Sequence, residues 1–144
     1  MATHDKTGSG GTAGHPSNGR TPYLVENTID FTPFDPAAND IVQAIDVPAE
    51  SIVMNAGLEV LTASPSGVTL DMGDGDTADI YVDGLDSTSA GYSAVHQDVL
   101  STGKIYASAD TLDIKVIGAQ DTAGKVRAWA VICDISGVSE TDTN

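Results

Sequence analysis

Between Thr21 and Gly103 the chain has no lysine and no arginine, against fourteen aspartates and glutamates. A surface that acidic repels phosphate backbones, which argues against direct DNA or RNA binding. Cysteine is nearly absent as well. The single Cys133 permits no intrachain disulfide and no cysteine-based zinc site. Lying in an apolar run, it reads as a small buried hydrophobe. Aromatic residues make up only 5% of the chain, too few to furnish the stacking platforms of a glycan-cleaving cleft. No run is long and apolar enough to cross a bilayer. The N-terminus lacks the apolar core of a secretory signal, so Sec-type export is not expected. His4, His15 and His96 stand apart, without His-x3-His or His-Glu-x-x-His spacing, and solvated or interface roles are the default. Gly-x-Ser-x-Gly does not occur. Ser93, His96 and Asp98 are neighbours only along the chain. Gly8-Ser-Gly-Gly11 follows no strand and opens no helix, so it reads as linker and not as a phosphate cradle.

What is present sorts into four sections. Residues 1–20 (MATHDKTGSGGTAGHPSNGR) carry only Met1, Ala2 and Ala13 as apolar residues. Such a segment buries too little surface to offset an ordering entropy of roughly 1–2 kcal/mol per residue, so it becomes ordered only on another surface. Lys6 and Arg20 against Asp5 make it the one section before Lys104 that is not acidic. Residues 21–39 hold three prolines and the aromatics Tyr23, Phe31 and Phe34. They predict an extended lead-in along a sheet edge or on a neighbouring molecule. Together, residues 1–39 read as an attachment device, with Lys6, Arg20, Tyr23, Phe31 and Phe34 as candidate partner-binding residues.

Residues 40–135 form one body, large enough for a single core, and residues 136–144 a polar tail. The body alternates apolar and polar residues at a period of two. Ile41, Ile45 and Val47 share one face. Ile52, Met54, Ala56, Leu58 and Val60 are expected on one side of a long strand, with Gly57 marking a bulge or bend. Val68, Leu70 and Met72 alternate, as do Leu112, Ile114 and Val116. Ile80–Val82 reads as a short strand and residues 84–98 as a loop. Residues 124–135 (GKVRAWAVICDI) are apolar on both faces, which predicts a central strand covered on both sides or set in a subunit interface. Trp129 and Val131 are therefore candidate interface residues. No segment has the spacing of a long amphipathic helix. Short strands with turns every eight to twelve residues predict an all-β fold, an antiparallel β-sandwich or jelly-roll-like barrel with an extended N-terminal arm.

The acidic cluster at Asp71, Asp74, Asp76 and Asp79 is the only metal candidate, and no metal is favoured there. An EF-hand begun at Asp74 fails at its sixth position, Asp79 in place of Gly, and at its twelfth, Leu85 in place of Glu. The plainer reading is a tight Gly-Asp turn whose carboxylates bond local amides. No cofactor and no catalytic residue is indicated.

Several stretches carry a resemblance. They are Asp40-Ile-Val-Gln-Ala-Ile-Asp-Val-Pro-Ala, Ala56-Gly-Leu-Glu-Val, Val68-Thr-Leu-Asp-Met-Gly-Asp-Gly-Asp, Tyr81-Val-Asp-Gly-Leu-Asp, Lys104-Ile-Tyr-Ala, Ala109-Asp-Thr-Leu-Asp-Ile and Val126-Arg-Ala-Trp-Ala-Val. Over residues 40–135 the chain resembles head decoration, or cement, proteins of marine tailed bacteriophages. The resemblance implies a small β-rich domain, often a homotrimer, seated on the capsid exterior and tying capsomers together. The implied partner is the major capsid protein, with synthesis in the host cytoplasm and no catalysis. The competing expectation is a carbohydrate-binding or adhesin-like β-sandwich with a structural Ca²⁺ at Asp71–Asp79.

Overall fold

The computed structural model describes residues 21–93 and 103–136. These form nine strands and no helix. They are β1 (Tyr23–Asp30), β2 (Ile41–Val47), β3 (Ser51–Thr62), β4 (Thr69–Gly73), β5 (Val82–Asp86), β6 (Gly91–Ser93), β7 (Lys104–Tyr106), β8 (Asp110–Ile117) and β9 (Lys125–Asp134). Two antiparallel sheets face each other as a β-sandwich. Sheet A runs β1-β9-β3-β6, with β7 also pairing β3, and sheet B runs β2-β8-β4-β5.

Period-two alternation builds the core. In β8, Leu112, Ile114 and Val116 are fully buried while Thr111, Asp113 and Lys115 point away. In β9, Val126, Ala128, Ala130 and Ile132 face inward, and Lys125, Arg127, Trp129 and Val131 lie half-buried on the outer face. Phe31, Leu58, Leu70, Met72 and Tyr81 complete one continuous core. At about 25 cal/mol per Å² of apolar surface, such side chains each contribute roughly 1.5–3 kcal/mol on burial.

The long strand β3 departs from the alternation. Ala56, Leu58 and Val60 do face the core, but Val53 joins them in place of Ile52 and Met54. The cause is a bulge between Val53 and Asn55, which inserts one residue against β9 and inverts the phase upstream. Met54 is left exposed. Gly57 is not the bulge. It sits directly opposite Trp129 in the β3–β9 register, where it contributes no side chain beside the indole.

Two further stretches differ from their patterns. Ile80 lies outside any strand, and the strand is Val82–Asp86, with a register shift that places one extra residue on β5 between Val82 and Leu85. Gly84, at φ +65°, and exposed Asp83 and Asp86 break up its alternation. Gly91–Ser93, within a stretch that reads as a loop, pairs with Leu58–Val60. In the stretch read as a lead-in, residues 23–30 form a strand paired with β9 along its whole length. The loop after it is held by Phe31 N–H donating to the Gly124 carbonyl and Asp121 N–H to the Pro36 carbonyl.

Candidate interaction surfaces

The two outer faces of the sandwich differ in kind. On sheet B the outward positions of β2, β4 and β8 include Gln43, Asp46, Thr69, Asp71, Thr111, Asp113 and Lys115, a polar surface interrupted by the exposed Ile41. On sheet A the outer face divides along the strands. Toward Asp30 and Thr62 it carries ion pairs, Lys125 Nζ with Asp30 Oδ2 at 2.9 Å and Arg127 with Glu59. Toward the other end it carries Leu24, Ile52, Met54, Ile105, Trp129 and Val131. Of these Ile105 is 63% and Leu24 59% exposed. Trp129 and Val131 therefore sit within an apolar patch, as half-buried side chains of the central strand.

The other candidate residues are dispersed. Lys6, Arg20, His4, His15, His96 and Asp98 lie outside the described residues. Tyr23 is exposed at the start of β1, opposite Ile132 and so on the other face of sheet A from the apolar patch. Phe34 is half exposed in the loop before β2, its ring edge-on to Phe31 with centroids 5.9 Å apart. Phe31 is a correction to the sequence reading. It has no exposed surface, because the chain turns at the end of β1 and directs its ring into the core, so in this fold it anchors the loop instead of meeting a partner.

The acidic turn is the most constrained polar feature. Gly73 is required there by close approach, since a Cβ would lie 1.9 Å from the Thr77 carbonyl oxygen. The turn directs the Asp74 side chain inward to complete burial. One carboxylate oxygen accepts the backbone N–H groups of Asp76 and Thr77 at 3.0 and 2.9 Å. The other accepts Lys104 Nζ at 2.5 Å and the Tyr106 hydroxyl at 2.6 Å. The Tyr81 and Tyr106 hydroxyls lie 2.9 Å apart, and Lys104 also sits over the Tyr106 ring. Burial pushes the Asp74 carboxyl up, but the bonds from Lys104, Tyr106 and the two amides outweigh it and hold the group below the ordinary carboxylate range. Burial pushes the Tyr81 hydroxyl up to about 12 and the Tyr106 hydroxyl further up still.

This arrangement bears on the metal question. Asp74 has both oxygens occupied by protein donors, with an ammonium where a cation would sit. Asp71 accepts the Gly84 N–H at 2.7 Å, while Asp76 and Asp79 are exposed. Among the described residues no three His, Cys, Asp or Glu side chains converge on a point that could hold a metal ion.

Sequence reasoning missed this network, although one signal was available. Lys104 is the first cation after eighty-three residues without one, and a counterion so placed suits a buried acid. It also missed a second buried aspartate. Asp121 accepts the Ala123 and Gly124 N–H groups on one oxygen, at 3.2 and 2.7 Å, and the Ser64 hydroxyl on the other, at 2.6 Å.

No family model matches this chain, and no curated protein does. Solved structures share its fold. A chain of the cyanophage Pam1 capsid asymmetric unit superposes with a TM-score of 0.65 at 19% identity, covering 92% of this chain and 98% of that one. A chain of the Ralstonia phage GP4 capsid gives 0.63 at 20% identity, covering 83% and 86%. A chain of the acidic stable capsid of Helicobacter pylori bacteriophage KHP30 gives 0.61 at 16% identity, covering 80% and 89%. The sandwich is thus a fold that occurs among the chains of phage capsids.

Proposed function

We propose that the chain is a structural virion protein that decorates the exterior of a bacteriophage capsid, binding the major capsid protein and copies of itself, without catalysis. What carries this reading is the fold shared with chains of three phage capsids over most of this chain's length. The division of its surface supports it. A polar sheet B face on a strongly acidic chain suits solvent and repels non-specific contacts. The apolar end of sheet A, around Trp129 and Val131, suits burial against a neighbouring subunit. Residues 1–20 enter β1 at the same end, through Tyr23. Lys6 and Arg20 would then meet the capsid beside that contact, at an ordering cost offset on binding. Many weak contacts repeated by symmetry make such a shell protein hold firmly.

The test is re-decoration of stripped particles, followed by imaging. The full chain is expected to return to the capsid exterior, and a chain lacking residues 1–20 to return more weakly while melting at the same temperature. Unchanged binding by the truncated chain would sink the role of the arm. Absence of the chain from purified particles would sink the whole reading. The adhesin-like alternative with a structural Ca²⁺ predicts a melting temperature that rises with Ca²⁺ and falls with EDTA. With Asp74 occupied by Lys104 and Tyr106, no such rise is expected.

A further inference from the structure

A sheet edge displays unpaired N–H and C=O groups, and folded proteins blunt such edges with bulges, short strands, prolines or lysines. Three of the four edges here are blunted. β2 carries a register shift between Gln43 and Ile45, and its Ala44 carbonyl accepts the Asn27 amide at 2.8 Å. β5 follows an irregular register and is bent at Gly84, whose N–H is taken by Asp71. The fourth side of the sandwich, along β3, holds two fragments of three residues each, β6 and β7. β1 alone is intact. Its eight residues keep an unbroken register with β9, contain no proline, carry Glu26 and Asp30 as their only charges, and have no strand partner on the far side among the described residues. Glu26, Asn27 and Thr28, at its centre, are exposed.

We propose that this edge is an interaction surface for the same edge of a second copy, so that two β1 strands pair antiparallel about a two-fold axis and sheet A continues from one chain into the other. Strand geometry selects the register. Directly opposed residues must share a sheet face, so the axis has to pass through a residue and not between two. An axis at Glu26 sets two glutamates against each other, and one at Thr28 sets Glu26 against Asp30, both like-charge pairs that destabilise. An axis at Val25 leaves only a short overlap, because β1 begins at Tyr23. An axis at Asn27 pairs residues 24–30 with no like charges opposed. Val25 then meets the partner's Ile29 on the inner face, and Glu26 meets the partner's Thr28 on the outer. The pairing also keeps both polar sheet B faces turned to solvent. It does not rest on the virion reading, and the Trp129 patch on the face of sheet A reaches the edge strand only at Leu24.

The register makes the test specific. Sedimentation of the full chain at rising micromolar concentration is expected to show a monomer–dimer equilibrium. Thr28→Lys places a lysine opposite Glu26 twice per dimer and should tighten it about 2- to 30-fold. Glu26→Lys combined with Thr28→Lys places lysine against lysine and should abolish it. A wild-type chain that stays monomeric throughout, as it would if the edge were reserved for a strand of another protein, overturns the proposal. So does a dimer indifferent to both lysine variants, or one that Thr28→Lys weakens. Glu26 and Thr28 are exposed, and unchanged melting curves confirm that the variants are folded.

Discussion

The two ends of the sandwich are each closed by a buried aspartate, and they are closed differently. At the end where β4 stops, Asp74 binds two turn amides and then reaches across to Lys104 and Tyr106 on β7 of the opposite sheet. At the end where β8 gives way to β9, Asp121 also binds two turn amides, but its third partner is the neutral hydroxyl of Ser64. The local motif is the same Asx turn. The difference is that the first end holds an ion pair and two tyrosine hydroxyls, and a short strand depends on it. A charge-assisted bond is roughly twice as strong as a neutral one, and correspondingly costlier to break on one side only. The contrast extends to the outer face of sheet A. Its apolar patch lies at the Asp74 end, whereas its paired charges lie at the Asp121 end. The end held most firmly from inside is also the end with apolar surface left to bury.

The comparison can be broken by removing each carboxylate. Asp74→Ala strands two amides, leaves Lys104 only the exposed Asp76 at 3.6 Å and Tyr106 only the Tyr81 hydroxyl, and is expected to cost roughly 3 kcal/mol of unfolding free energy in urea. Asp121→Ala strands only neutral donors and should cost about 1–2 kcal/mol. Equal losses would show that the ion pair adds nothing beyond the turn itself.

Acid titration sharpens the same contrast. Because the folded Asp74 carboxyl is held below its unfolded value, it contributes stability that is present above the ordinary carboxylate range and is lost as pH falls through the lower folded value. The stability gap between wild type and Asp74→Asn should therefore be widest above about pH 4 and close below it. A gap that instead widens on acidification would contradict that sign. Asp113 behaves oppositely. Burial raises its carboxyl, so its ionised form is a cost at neutral pH, and Asp113→Asn should raise the melting temperature slightly. The smallest effect is expected at the Asp121 end of sheet A. There Lys125 and Asp30 are both 40% exposed, and Lys125→Met should leave the unfolding midpoint unchanged even in low salt.

Much of this architecture was legible because it rests on short-range rules. The alternation in β8 and β9 reports burial directly, and both strands face as their residues imply. The turn at Asp71–Asp76 was legible from its Gly-Asp chemistry. What escaped depends on a second strand. Whether Ile52 or Val53 faces the core is decided by a bulge against β9, and nothing within SIVMNAGLEV marks where the extra residue goes. Phe31 looked like a contact residue because it stands among prolines and polar side chains. Only the turn after β1 shows that it points inward.

By itself, then, the sequence determined an all-β chain with an acidic surface, a single core and a central apolar strand, since composition and a period of two act through each residue's own side chain. It did not determine which aspartate is buried or which edge stays open. Asp74 becomes a buried anion because Lys104 and Tyr106, about thirty residues away, arrive on another sheet to offset the cost of its desolvation. β1 becomes the intact edge because the strands of the other edges are bulged, bent or broken, a property of neighbours that the residues of β1 do not encode.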